Sequence, residues 1–118
     1  MAQTALAVQE IPKNTGAVLA SAGADQANGN KFPNDGRTVL EIVNGDGSAR
    51  TVTVSSVPCS HGRTQDLVQA IPAGGQAVLG PFDGEGFNQK SGADTGWVYV
   101  SWSAGTTSAV KVTARRLV

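Results

Sequence analysis

Residues 30–55 read NKFPNDGRTVLEIVNGDGSARTVTVS and carry six charges, Lys31, Asp35, Arg37, Glu41, Asp46 and Arg50, among turn-forming residues. Such a stretch is either a site that binds or cuts something or a pair of strands with ordinary surface charge. Asn44, Asp46 and Ser48 place oxygen-bearing side chains at alternate positions, as a calcium loop does. A calcium loop also needs glycine at its sixth position and a bidentate glutamate at its twelfth. Those places hold Ala49 and Ser55, so the spacing favours a plain turn. Cys59 and His61, in PCSHG, are the only residues of their kind. Two ligands fall short of the three or four that zinc takes. A cysteine–histidine pair can act as nucleophile and base, but no motif supplies the third, orienting group. A symmetric trimer would bring three copies of His61 together, though nothing in the sequence favours that arrangement. The other carboxylates, Asp83, Glu85 and Asp94, fall in turns with no paired placement. No catalytic residue, cofactor or metal is therefore expected, and the chain is read as a non-enzyme.

The aromatic segment WVYVSWS is more informative. Alternation puts Val98, Val100 and Trp102 on one strand face and Trp97 and Tyr99 on the other. Two large rings on an outward face call for a partner: another part of this chain, a second subunit, or a ligand such as a sugar.

The elements around these residues read as β-structure. The chain has 118 residues, enough for one domain and one core. It holds 14 valines, 10 threonines and 15 glycines against 6 leucines and 1 methionine, a balance that suits pleated strands and their turns. Nine basic and nine acidic side chains cancel without forming runs, which argues against nucleic acid and against a membrane surface as partners. The single cysteine excludes an intrachain disulfide. The opening residues MAQTALAVQEIPKNTG lack the basic and apolar regions of a signal peptide, so synthesis in a reducing cytoplasm is expected.

From residue 37 to 118 the alternation predicts six strands: RTVLEIVN, RTVTVSSV, QDLVQAI, QAVLGPF, WVYVSWS and SAVKVTARRL. NGDG, opening on Asn-Gly, predicts a hairpin between the first two. PAGG and AGTT mark further turns, and residues 83–95 form a long glycine-rich loop. The expected fold is a small antiparallel β-sandwich or jelly roll, with a core of Leu40, Ile42, Val52, Val54, Val98, Val100, Trp102, Val110 and Val112. Residues 1–36 look different. They alternate isolated apolar residues (Leu6, Val8, Ile11, Val18, Leu19) with polar spacers, and predict an extended N-terminal arm of short strands that orders by docking onto a surface.

Three pieces in this order, NKFPNDGRTVLEIVNG, AIPAGGQAVLGPF and VYVSWSAGTTSAVKVTARRL, give a further lead. Over about residues 30–118 the sequence resembles small β-sandwich virion proteins of tailed phages infecting actinobacteria, which are read as head decoration (cement) proteins. It departs from them at Trp97 and Tyr99, where small polar residues are expected, and residues 1–29 have no counterpart. The resemblance implies a structural protein on the outer capsid surface of a virion, made in the bacterial host. Its partners would be the major capsid protein and copies of itself, with a trimer favoured. Apart from the resemblance, the residues expected to interact are Leu6, Val8 and Ile11, as apolar anchors of the arm, and Trp97 and Tyr99, as outward aromatics of the sandwich. Competing expectations are a phage tail or head–tail joining component and a carbohydrate-binding module that stacks sugars on Trp97 and Tyr99.

Overall fold

The computed structural model describes residues 3–11, 21–57, 66–82, 84–90 and 92–117. Cys59, His61, Asp83, Val18 and Leu19, weighed above, lie outside these residues, and so does the side chain of Glu85. Ten strands are described: β1 Thr4–Ala5, β2 Val8–Ile11, β3 Ala22–Gly23, β4 Asn30–Pro33, β5 Thr38–Asn44, β6 Arg50–Val54, β7 Leu67–Ile71, β8 Gln76–Leu79, β9 Trp97–Trp102 and β10 Val110–Leu117. One short helix, α1 Gly84–Phe87, lies between β8 and β9. The six strands expected beyond residue 37 are β5 to β10.

The strands form two packed five-stranded sheets, a β-sandwich. One sheet runs β1-β4-β9-β6-β7. The other runs β2-β10-β5-β8, with β3 also pairing with β10. Both sheets are mixed, not purely antiparallel: β1 runs parallel to β4, and β2 runs parallel to β10. A radius of gyration of 14.0 Å marks a compact body, near the roughly 13–14 Å expected for a globule of this length.

Alternation explains the core. In β9 the side chains of Val98, Val100 and Trp102 turn inward, and in β5 those of Leu40 and Ile42 do the same. Cross-strand register then builds rows. Ile42 sits opposite Val112, Leu40 opposite Ala114, Phe32 opposite Val98, and Val54 opposite Val100. All nine expected core residues are buried. Phe82 extends the core toward one end, with its ring centroid 5.5 Å from Phe32 and 5.6 Å from Phe87 of α1.

Two features differ from the sequence expectation. The first is NGDG. β5 and β6 do not pair; they lie in opposite sheets, so residues 45–49 form a corner between layers and not a hairpin. The cause is Asn44, which is fully buried. Its side-chain amide donates to the carbonyls of Ser48, Ile71 and Pro72, and its oxygen accepts from the Asp46 N–H at 2.9 Å. A side chain turned into the body cannot serve an exposed two-residue turn. Gly45 is needed for a second reason: a Cβ there would stand 2.5 Å from the Ala109 carbonyl. Crossing between layers is the rule here. Among successive strands, only the β2–β3 and β6–β7 steps stay within one sheet.

The second difference is the N-terminal region. Its described residues are built into both sheets. Thr4–Ala5 pairs with Asn30–Lys31, and Val8–Ile11 pairs with Ala114–Leu117. Ala22–Gly23 meets Lys111–Val112, and Asn30–Pro33 lies beside Trp97–Val100. Leu6 is 4% exposed and belongs to the core cluster. These short strands supply edges to β4 and β10, and the core supplies a surface that the segment could not bury alone.

Candidate interaction site

The six charges of residues 30–55 resolve into surface pairs and clasps. Glu41 pairs with Arg115, and Asp35 accepts from Arg116 at 2.8 Å. Asp46 binds Arg50 at 3.0 Å and takes both the backbone N–H and the hydroxyl of Thr107, tying the 45–49 corner to the β9–β10 connection. Arg37 is exposed. Among the described residues no three histidine, cysteine or acidic side chains stand close enough to hold a metal ion. No helix among them is long and apolar enough to cross a membrane.

The asparagines of the same stretch matter more than its charges. Asn30, Asn34 and Asn44 are all buried. Asn30 accepts from the Trp102 indole at 2.8 Å and from the Asp25 N–H at 3.0 Å, while its amide donates to the Thr4 carbonyl at 3.2 Å. Asn34 donates to the Phe82 carbonyl and to Asn88 Oδ1, fixing the segment around α1. Each is a buried amide whose donors and acceptors are used internally, as burial demands.

Of the five expected interaction residues, the structure brings only Trp97 and Tyr99 together. Both are half-buried on the outward face of β9, as alternation requires. Lys31 of β4 lies across from Tyr99 and holds its ammonium 5.2 Å from the Trp97 ring centroid, a cation–π contact. The same ammonium reaches Asp94 Oδ1 at 2.8 Å, and the Tyr99 hydroxyl donates to Asp94 Oδ2 at 2.6 Å. Asp94 belongs to the 83–95 segment, so this chain covers part of its own aromatic face. Leu6 and Val8 are packed on the core, Leu6 buried within it and Val8 against it. Ile11 places its backbone opposite Leu117.

The electrostatics follow from these contacts. The Lys31 ammonium, and then the Tyr99 hydroxyl, hold the Asp94 carboxyl below the ordinary carboxylate range. The hydrogen bond to Asp94 raises the Tyr99 phenol above its ordinary value, because its ionisation would place two negative charges side by side. Thr107 lowers Asp46 and Thr4 lowers Asp25 in the same way as Lys31 acts on Asp94, through side-chain hydrogen bonds. A depressed carboxylate stabilises the fold fully above its unfolded value, near pH 4, and that support fades as pH falls through the folded value. Thermal melts should therefore hold level from neutral pH to about pH 5 and decline below about pH 4. Tyr99 is the only tyrosine, so ultraviolet titration reads it directly. Its ionisation should lie above the usual ~10 and move back toward it in Asp94→Asn. Unchanged titration in that variant would show that the Asp94 bond is not formed in solution.

Tyr99 also lines a cleft of about 230 Å³ where the 25–29 turn meets β9. Gln3, Gln26, Asn28, Ser55, Tyr99 and Ser101 contribute to its walls. Gly29, at positive φ (77°), lets the turn approach closely: a Cβ there would stand 2.7 Å from the Val100 carbonyl. Alternation placed Tyr99 outward, and Ser101 follows on the same exposed face. The partners from residues 3 and 26–28 carry no periodic signal and arrive only through the β1–β4 pairing.

A second surface lies on the flank formed by β7 and β8. Residues 67–82 contain no charged side chain. β7 ends one sheet and β8 ends the other, joined by the Pro72–Gly75 turn. Val68 and Val78, at 59% and 60% exposed, are the most exposed of the large hydrophobics here. Edge strands are usually guarded by charge, proline or a bulge; β7 and β8 carry no charge of their own, and the charge beside Val78 is Glu41 of β5, directly opposite it. Compared with known proteins, the chain matches no family model, no curated protein and no solved structure.

Proposed function

We propose that this chain is a structural, non-enzymatic virion protein that decorates the outer surface of a phage head and stabilises the shell, as a jelly-roll-like sandwich in a trimer. The observation that carries this reading is that β7 and β8, which end the two sheets, carry no charge and each exposes a valine, Val68 on the outer face of one sheet and Val78 on that of the other. Sheet-end strands that lack charge favour assembly: a strand or loop of a neighbour can add to one sheet while its apolar side chains cover that sheet's outward valine. The rest of the molecule suits a shell component. Its charge is balanced, its buried Asn30, Asn34 and Asn44 are hydrogen-bonded within the fold, and its crossings from sheet to sheet bind the two layers into one body. The ordered sequence pieces described above supply the choice of phage heads over other assemblies.

The test is co-sedimentation of the purified chain with capsid shells built from the major capsid protein of the same genome. Wild-type protein should bind in hundreds of copies per shell; a few copies would instead indicate a tail or head–tail joining component. Val68→Lys and Val78→Lys should each weaken binding at least about tenfold, equivalent to about 1.4 kcal/mol, while leaving the circular dichroism spectrum unchanged. Wild-type protein that stays monomeric and off the shell would defeat the proposal.

A further inference from the structure

We propose that the cleft beside Tyr99 binds a single neutral sugar ring, a function separate from shell binding and independent of that reading. Its walls carry no charge. The amides of Gln3 and Gln26 and the hydroxyls of Ser55 and Ser101 offer both donors and acceptors, which is what a polyol needs and what a purely apolar ligand cannot use. These four side chains stand outside the clasps that hold Asp25, Asp46 and Asp94. The charges closest to Tyr99 neutralise one another, Lys31 against Asp94 at 2.8 Å, so neither an anion nor a cation gains from entering. Tyr99 supplies aromatic surface against which the C–H face of a sugar packs. Its hydroxyl is already held by Asp94, so the ring is oriented before any ligand arrives and little freedom is lost on binding. The volume, about 230 Å³, is below the roughly 300–1,000 Å³ of sites for drug-sized ligands, which limits the occupant to one ring, such as the terminal residue of a glycan. Trp97 takes no part: it does not line the cleft, and Lys31 lies over its ring.

Saturation-transfer NMR on the full chain tests this with galactose, arabinose, mannose, glucose and N-acetylglucosamine and their short oligomers. At least one sugar should receive saturation at millimolar concentration. Tyr99→Ala and Gln26→Ala should each weaken that signal at least about tenfold, whereas Trp97→Ala should leave it in place. Gln26 is exposed on a turn, so its variant remains informative if Tyr99→Ala fails to fold. The proposal is overturned if no sugar in the set receives saturation. It is equally overturned if transfer persists in Gln26→Ala and in every folded Tyr99 variant, or is lost on replacing Trp97 alone. Shell binding by Val68 and Val78 variants is read separately, so failure of one proposal does not decide the other.

Discussion

Asn30→Ala should cost about 3–5 kcal/mol, among the largest losses available to a single polar substitution in this chain. Asn30 is fully buried in β4, opposite Val100, where alternation would place a hydrophobic residue. Its oxygen takes the Trp102 indole N–H and the Asp25 backbone N–H, and its amide supports the Thr4 carbonyl. Alanine leaves the buried indole N–H without its partner and weakens the attachment of β1 and of the 25–29 turn. Each buried group left unpaired costs roughly 1–3 kcal/mol, and the lost volume adds to that. Urea denaturation followed by tryptophan fluorescence measures the total. Trp102→Phe removes the donor from the other side, so the double variant should cost less than the sum of the two single changes. Strict additivity would mean that the indole–amide bond contributes nothing. Asn30→Ala within 0.5 kcal/mol of wild type would show that the residue is an ordinary strand position.

The contrast between Asn30 and Ile42 shows what the sequence makes legible. Ile42 sits in TVLEIVN, where it shares a face with Leu40 on either side of Glu41, and that local alternation already places it inward. The same logic recovers β6, β9 and β10 and the outward placement of Trp97 and Tyr99. Asn30, Asn34 and Asn44 break that logic. Asparagine is common in turns, and all three stand next to turn residues, so local chemistry points to the surface. Tertiary hydrogen bonds to residues 4, 71, 82 and 102 draw them inward instead, and no local pattern encodes partners that distant. The Asn-Gly at 44–45 fails as a hairpin signal for the same reason: Asn44 spends its amide on Ile71 and Pro72, and the chain leaves its sheet. The cleft at Tyr99 was half legible. One wall lies on a strand whose alternation is plain, and the other comes from residues 3 and 26–28, which reach it through pairing between short strands at positions without periodicity.

Leu6→Ala should destabilise the free protein by about 2–5 kcal/mol, the range for emptying a buried leucine site. A docking arm would give the opposite result. If residues 1–36 engaged only a capsid, Leu6 would lie exposed in the free chain, and its truncation would change stability by no more than about 0.5 kcal/mol, as surface substitutions do. In the structure Leu6 is buried in the core cluster, and its backbone N–H donates to the Lys31 carbonyl at 2.7 Å. Thr4–Ala5 on one side and Val8–Ile11 on the other are hydrogen-bonded into opposite sheets, so the segment passes from one layer to the other through Leu6. Deleting residues 1–29 should go further. It removes β1, β2 and β3, opens one edge of β4 and one edge of β10, and leaves Asn30 without the Thr4 and Asp25 groups it binds. The truncated chain should lose its cooperative thermal transition, or keep it only at a much lower temperature. A truncated protein that melts like wild type, together with a neutral Leu6→Ala, would return residues 1–29 to the role of a tether. A destabilised Leu6→Ala that regains capsid binding when cooled would place the N-terminal strands in the fold itself, with the grip on the shell left to the β7–β8 flank.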